Sequence, residues 1–411
     1  MNFVSHLEGA IDGARLSHDT QRTLHEGRPI LVRYDLDKVR QALSKSALPY
    51  RRPDMWRLSE LLPLESAPIS LGENMTPVLP CPNLGKANGL RNVWVKDEST
   101  LPTGSFKSRG QAVAISMAKH FGTTRVAIPT AGNAGGAMAA YAARAGLEAF
   151  VFMPEDTPRV NQVEAMLAGA KVFLVNGLID ACGKIVQAGK TEMGWFDIST
   201  LKEPYRLEGK KTMGFEVAEQ FGWTLPDVIL YPTGGGTGLI GMWKAFKELA
   251  AIGWIDPTRM PRMVAVQSEG CAPVVRAFES GSRFCTPFEH ADTIARGIRV
   301  PSAVGDFLIL DAVRESHGRA VAVREDQILP WMRKASSLEG ISFCPESAAC
   351  VGALEMLAEE GWIRPNDHTV IFNCASARKY SELVDPDLPR LDITTEIDWD
   401  ALKKRTKAIE S

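Results

Sequence analysis

Apolar, β-branched runs alternate with amphipathic segments along most of the chain, the pattern of a parallel sheet covered by helices on both faces. Eight such runs read as strands, at residues 93–96, 125–129, 149–153, 172–175, 228–231, 263–267, 320–323 and 369–373. Between them the period changes to that of a helix. In "SFKSRGQAVAISMAKHFG" the apolar residues Val113, Ala114, Met117, Ala118 and Phe121 recur at spacings of three and four, and the segment stops at Gly122. "NAGGAMAAYAARAG" stops at Gly146, where a glycine takes positive φ at little cost. The first 70 or so residues, with "LPYRRPDMW" and "LLPLESAP", are less periodic and read as an irregular arm laid over the main body. The pattern predicts an α/β fold. At 411 residues the chain is long enough for two lobes, with boundaries expected near residues 100 and 210.

Composition narrows the function classes. The 47 basic and 49 acidic residues nearly balance and no block of like charge stands out, so no nucleic-acid surface is expected. The start, "MNFVSHLEGAIDGARLS", has neither a basic region nor an apolar run, and nowhere do 18 apolar residues follow one another. The expectation is a cytoplasmic protein with no membrane contact. Seven cysteines are scattered without a C-x-x-C pair, and the histidines form no H-E-x-x-H pattern, so neither a disulfide framework nor a metal centre is expected.

Four segments carry candidate chemistry, each at the carboxyl end of an expected strand, where ligands gather in open α/β sheets. The first is "LPTGSFKSRG", which puts Lys107 in the first turn of the helix that follows. A cation is disfavoured at a helix N-terminus, so the neutral amine becomes more accessible and suits Schiff-base chemistry; the alternative is an ordinary solvated lysine. The second is "YPTGGGTGLIGMWKAF", a glycine cluster opening a helix, where converging backbone N–H groups fit a phosphate. Gly236 to Gly241 also matches G-x-G-x-x-G, which keeps a nicotinamide-dependent oxidoreductase in view. Against it, the first acidic residue on the next strand is Glu269, some 33 positions on, where about 20 is expected. The third is "IPTAGNAGGAMAAY". Asn133 there either caps the helix or bonds a ring hydroxyl while the loop amides hold a carboxylate. The fourth is "TVIFNCASARKY", with Cys374 at the strand end as an inert buried thiol or a ligand neighbour.

Taken in order, "LGENMTPV", "VKDESTLPTGSFKSRG", "PTAGNAGGAMAAYAARAGL", "EPYRLEGKKTMGFE", "YPTGGGTGLIG" and "IARGIRVP" resemble the segments of threonine synthases within the fold type II, tryptophan synthase β-like, pyridoxal-phosphate enzymes. The resemblance spans roughly residues 65 to 385. It implies two open twisted lobes, mostly of parallel sheet, with pyridoxal 5'-phosphate in the cleft between them. Residues 1–100 plus 210–411 would form the large phosphate-binding lobe and 101–209 the small mobile one. Lys107 would carry the cofactor as a Schiff base, with Phe106 beside it. Asn133 would meet the ring hydroxyl, Gly234, Gly235, Gly236, Thr237 and Gly238 would cradle the phosphate, and Cys374 would stand by the pyridine nitrogen. Thr103, Ser105, Thr130, Ala131, Gly132, Ala134 and Arg206 would contact an amino-acid substrate, and a homodimer is implied.

The chain departs from that family in places. Ser108 follows the lysine where Asp is usual, and Leu101 stands before the proline. Ala131, Ala134 and Ala137 replace hydroxyl residues of the asparagine loop, and Thr200, Leu201 and Glu203 replace Asn, Ser and Asn of the stretch that helps bind substrate phosphate. Each lost donor to a buried phosphate oxygen costs about 1.5–3 kcal/mol, so a smaller or less charged leaving group suits the pocket at least as well as phosphohomoserine. Cys374 in place of Ser or Thr is a poor proton donor, which favours elimination and replacement at the β or γ carbon over racemisation. The implied reaction is threonine synthase-type γ-elimination with β-addition of water. The rivals are a β-eliminating ammonia-lyase of the threonine or serine dehydratase kind, a nicotinamide-dependent oxidoreductase, and a non-catalytic vitamin B6-binding protein.

Overall fold

The computed structural model describes residues 3–384, 388, 390–392 and 394–409, with side chains described as far as residue 404. It divides into a body ending at Tyr380 and a C-terminal unit from Ser381, in which Trp399–Ile409 is a helix.

All eight expected strands are present, and they sort into two sheets. The larger has six strands in the spatial order Arg319–Val323, Arg262–Ser268, Val228–Pro232, His368–Asn373, Asn92–Asp97 and Val78–Pro80. Every pairing is parallel except that of the edge strand Val78–Pro80. The smaller sheet has four parallel strands, Lys171–Val175, Glu148–Pro154, Arg125–Pro129 and Phe196–Asp197. Continuous apolar runs form strands here because both faces are covered: all five residues of Val228–Pro232 are buried. Beneath the large sheet, Ala348, Val351 and Leu354 of the helix Pro345–Glu359 pack with Val228, Leu230, Val264, Val266 and Ile371 in one apolar cluster. Each fully buried side chain of this size contributes about 1.5–3 kcal/mol.

The N-terminal arm is not irregular throughout. Val4–Gly9 pairs antiparallel with Arg15–Leu16 on one side and Ile30–Tyr34 on the other, a three-stranded sheet. One of its strands is two residues long, too short to establish a period, and its pairings are decided by contacts distant in sequence. The same applies to Val78–Pro80 and Phe196–Asp197. Among the described residues no helix is long and apolar enough to cross a membrane.

A buried ionic cluster fixes the helix that carries Lys107. Arg109 is fully buried, and its guanidinium bonds Glu98 through Nε at 2.6 Å and Nη2 at 2.9 Å, and Glu216 through Nη1 at 2.5 Å and Nη2 at 2.8 Å. Lys96 adds a 2.6 Å bond to Glu216. Burial opposes ionisation of Glu216, but Arg109 and Lys96 outweigh it and hold the carboxyl at about 2. Three elements are thereby tied together: the strand Asn92–Asp97, the helix Lys107–His120 and the helix Tyr205–Gln220.

Candidate active site

A cavity of about 900 Å³ opens at the carboxyl ends of Arg125–Pro129, Val228–Pro232 and His368–Asn373, strands drawn from both sheets. Of the residues expected to act, only Thr103 and Ser105 stand outside its lining. The Thr103 hydroxyl pairs with Ser108 at 2.7 Å, and Ser105 forms an antiparallel bridge with Ala375. That bridge and the bond from Phe106 N to Cys374 O, 3.0 Å, bring the lysine loop against the end of the strand His368–Asn373.

Lys107 is the first residue of its helix, and its Nζ lies 4.0 Å from the Phe106 ring centroid. Burial, reinforced by Arg206, lowers its amine to about 8. At pH 7 about a tenth of such amines are neutral, against less than about a thousandth for a solvated lysine. Cys374 is nearly buried, and burial pushes its thiol up to about 12, so it is uncharged.

The glycine turn is held by crowding. Gly236 has φ +73°, and a Cβ there would lie 2.2 Å from Ile309 Cγ1; one on Gly238 would lie 2.0 Å from the Tyr231 hydroxyl. Gly235 meets Thr200 in the same way, at 2.8 Å. Gly236 caps the helix Thr237–Ala251 without any side-chain cap, which leaves the first backbone N–H groups of a 15-residue helix for a ligand. Residues 234–238 all line the cavity.

The asparagine turn is built differently. Gly132, not Asn133, is the N-cap of Asn133–Ala145, and no side chain caps the helix, so the capping role for Asn133 is set aside. Its amide instead accepts a bond from Asn161 Nδ2 at 2.9 Å and donates to the Tyr380 hydroxyl at 3.4 Å. Thr130, Ala131, Gly132 and Ala134 complete this wall; Ala137 is fully buried and lies outside the lining.

Arg206 is 2% exposed, donates from Nη1 to Ile198 O at 2.8 Å, and faces the cavity with Nε unpartnered. The substituted residues near it do not all face substrate, contrary to the sequence expectation. Thr200 lines the cavity and keeps a hydroxyl. Leu201, at φ +57°, is buried so close to Gly305 that a Cβ there would lie 2.3 Å from Leu201 Cδ1. Glu203 caps its helix by accepting from Tyr205 N at 2.7 Å, and burial raises its carboxyl to about 7. Side-chain direction, invisible in the sequence, removes two of three apparent losses from the substrate wall. Sequence reasoning also missed Glu346 and Tyr380, which line the cavity; their signal was position alone, at a helix start and six residues after Cys374.

A lysine of lowered basicity and an uncapped, glycine-built helix start, sharing one cavity at the ends of parallel strands, suit a pyridoxal-phosphate-dependent lyase. Residues 69–375 match the family described as pyridoxal-phosphate dependent enzyme, and the chain belongs to it, as a threonine synthase-like member of fold type II. It is similar to the threonine synthase of Methanosarcina acetivorans, 35% identical over 341 residues and 83% of each chain. The threonine synthase of Methanocaldococcus jannaschii is 34% identical over 383 residues, 92% of this chain and 93% of that one. In fold it is similar to the diaminopropionate ammonia lyase of Escherichia coli, with a TM-score of 0.67 over 76% of this chain and 87% of that one at 17% identity. The family leaves the oxidoreductase reading of Gly236 to Gly241 without support. Its cofactor is pyridoxal 5'-phosphate. The residues present fit that group: the uncapped helix start suits a phosphate, and the Lys107 amine suits an aldehyde.

Proposed function

We propose that the protein converts O-phosphohomoserine and water to threonine and inorganic phosphate. Similarity to threonine synthases over most of the chain supports this, and the single observation that carries it is the placement of Lys107. Its lowered amine sits on the wall of one cavity that also holds the glycine turn, the asparagine turn and the buried guanidinium of Arg206. Pyridoxal phosphate, when bound, supplies the electron sink for charge developing at the substrate's Cα. When it is bound, residues 234–238 would hold its phosphate, Asn133 would meet its ring hydroxyl, and Cys374, an uncharged thiol, would stand by its pyridine nitrogen. The Lys107 amine takes the proton from Cα. Backbone N–H groups of residues 130–134 hold the substrate carboxylate. Arg206 and the Thr200 hydroxyl hold the phosphate: its bond to Cγ breaks as a second proton leaves Cβ, and water then supplies the hydroxyl at Cβ. The three protons released return to Cγ, which becomes the methyl group, to Cα and to the departing phosphate. Residues 101–209 act as the mobile lobe that closes over substrate and excludes bulk water, against a large lobe of residues 1–100 and 210–411. The working unit is a cytoplasmic homodimer.

The test supplies O-phosphohomoserine, threonine and serine to the loaded protein and follows phosphate, threonine, ammonia and 2-oxo acid. Phosphate and threonine in equal amounts are expected. Oxo acid and ammonia from threonine or serine, with no phosphate released from O-phosphohomoserine, would replace this reading with a dehydratase.

A further inference from the structure

We infer that Glu346 and Glu164, acting through Tyr380 and Asn161, lock the Asn133 side-chain amide with its N–H toward the cavity. The inference rests on the proposed contact between Asn133 and the ring hydroxyl.

Three hydrogen bonds on each side make the chain. Asn133 Nδ2 donates to the Tyr380 hydroxyl at 3.4 Å, and that hydroxyl donates to Glu346 Oε1 at 2.7 Å. Glu346 Oε1 also accepts from Gly297 N at 2.7 Å. On the other side, Asn161 Nδ2 donates both to Asn133 Oδ1 at 2.9 Å and to Glu164 Oε1 at 3.3 Å. Glu164 is held in turn by the Lys379 ammonium.

An amide can be turned end for end at little steric cost, so its orientation must come from its partners. Both ends of this chain are carboxylates, which only accept. A phenol has one hydrogen, and Glu346 takes it, so Tyr380 has only a lone pair left to offer Asn133. Glu164 draws the NH2 end of Asn161 toward itself, and the same NH2 end meets Asn133 Oδ1. Turning Asn133 over would set oxygen against oxygen at Tyr380 and nitrogen against nitrogen at Asn161. The group at residue 133 therefore meets the cavity as a donor, matched to a ring oxygen that accepts.

Two glycines make room for the two carboxylates. A Cβ on Gly297 would lie 2.7 Å from Glu346 Oε1, and a Cβ on Gly136 would lie 2.1 Å from Glu164 Oε1. Glu346, Asn161 and Tyr380 are 4%, 1% and 2% exposed, so water does not substitute freely for the links among Glu346, Tyr380, Asn133 and Asn161; Glu164, at 25%, is the partly exposed end.

The experiment measures two things on the purified full chain, namely the dissociation constant of pyridoxal phosphate for the stripped protein and the absorption spectrum of the loaded protein. Tyr380→Phe deletes the hydroxyl. Glu346→Gln keeps the shape but adds a donor that can turn the tyrosine hydroxyl around. Each is expected to weaken cofactor binding about tenfold, the size of one charge-assisted hydrogen bond, and to shift the visible band. The double variant should be no weaker than the worse single one, because both break the same chain. Gly297→Ala, which displaces the Glu346 carboxylate without removing it, should reproduce the spectral shift, and thermal unfolding of the stripped variants separates this from misfolding. Asn133→Ala is the control. If it alters binding and spectrum while Tyr380→Phe and Glu346→Gln match the unaltered protein, or if the double variant's losses add, the lock is overturned and the Asn133 contact stands. If Asn133→Ala is itself silent, both fall.

Discussion

The glycine turn at 234–238 and the asparagine turn at 130–134 look alike in outline, each joining the end of a parallel strand to an uncapped helix, yet they are held in opposite ways. In the first, backbone position is enforced by contact: side chains on Gly236 or Gly238 would meet buried atoms at 2.2 and 2.0 Å. In the second, Gly132 has nothing within 4 Å of where its Cβ would stand, and position comes from the hydrogen bonds of Asn133 to Asn161 and Tyr380. The first turn is fixed by the shape of its own surroundings, the second by bonds whose partners come from other elements.

Substitutions at the two turns test this difference directly. Gly236→Ala combines a Cβ at positive φ with a clash in the core, and about 2–4 kcal/mol of stability should be lost together with cofactor retention; a thermal melt within a degree or two of the original, with normal cofactor content, would refute the crowding argument. Lys107→Ala should remove the visible band and all turnover while leaving the melting temperature of the stripped protein nearly unchanged, since the lysine is not part of the buried ion cluster. Borohydride reduction followed by peptide mass mapping should find the cofactor adduct at residue 107 only in the unaltered protein.

A smaller effect is expected from pH. Because burial lowers the Lys107 amine to about 8, deprotonation occurs as pH rises through that value and increases the nucleophilic form. Capture of added pyridoxal phosphate by the stripped protein should therefore accelerate roughly tenfold between pH 7 and 9 and then level off. A rate that is flat to pH 9 and rises only toward 10.5, the ordinary lysine value, would contradict it. The smallest effect should come from Gly132→Ala, in extended backbone at φ −178° with open space around it: a stability change within about 0.5 kcal/mol and unaltered cofactor affinity, read by melting and titration.

Much of the site was legible because its chemistry depends on residues adjacent in sequence. A lysine directly after a strand and loop, a run of glycines opening a helix, and an asparagine among small residues are each local patterns, and the cavity gathers all of them. Leu201 and Glu203 show where local reading stopped. Their residue types suggested lost phosphate donors, whereas one packs toward Gly305 and the other caps its own helix. Which way a side chain points depends on the neighbour that crowds or bonds it, and both neighbours are supplied by the folded chain. For the N-terminal sheet the reason was brevity: a two-residue strand carries no period.

The order of apolar runs and helical segments was enough to specify a parallel α/β body, because side-chain period and burial on both faces are properties of short stretches. The motif residues were likewise enough to point to an amine, a phosphate cradle and a bound cofactor. Tertiary structure alone decided that Glu346, Tyr380 and the pair Asn161 and Glu164 converge on Asn133 from three separate stretches of chain. Hydrogen bonds and dielectric surroundings depend on distance in space, so the basicity of Lys107 and the orientation of Asn133 exist only once those stretches are packed together.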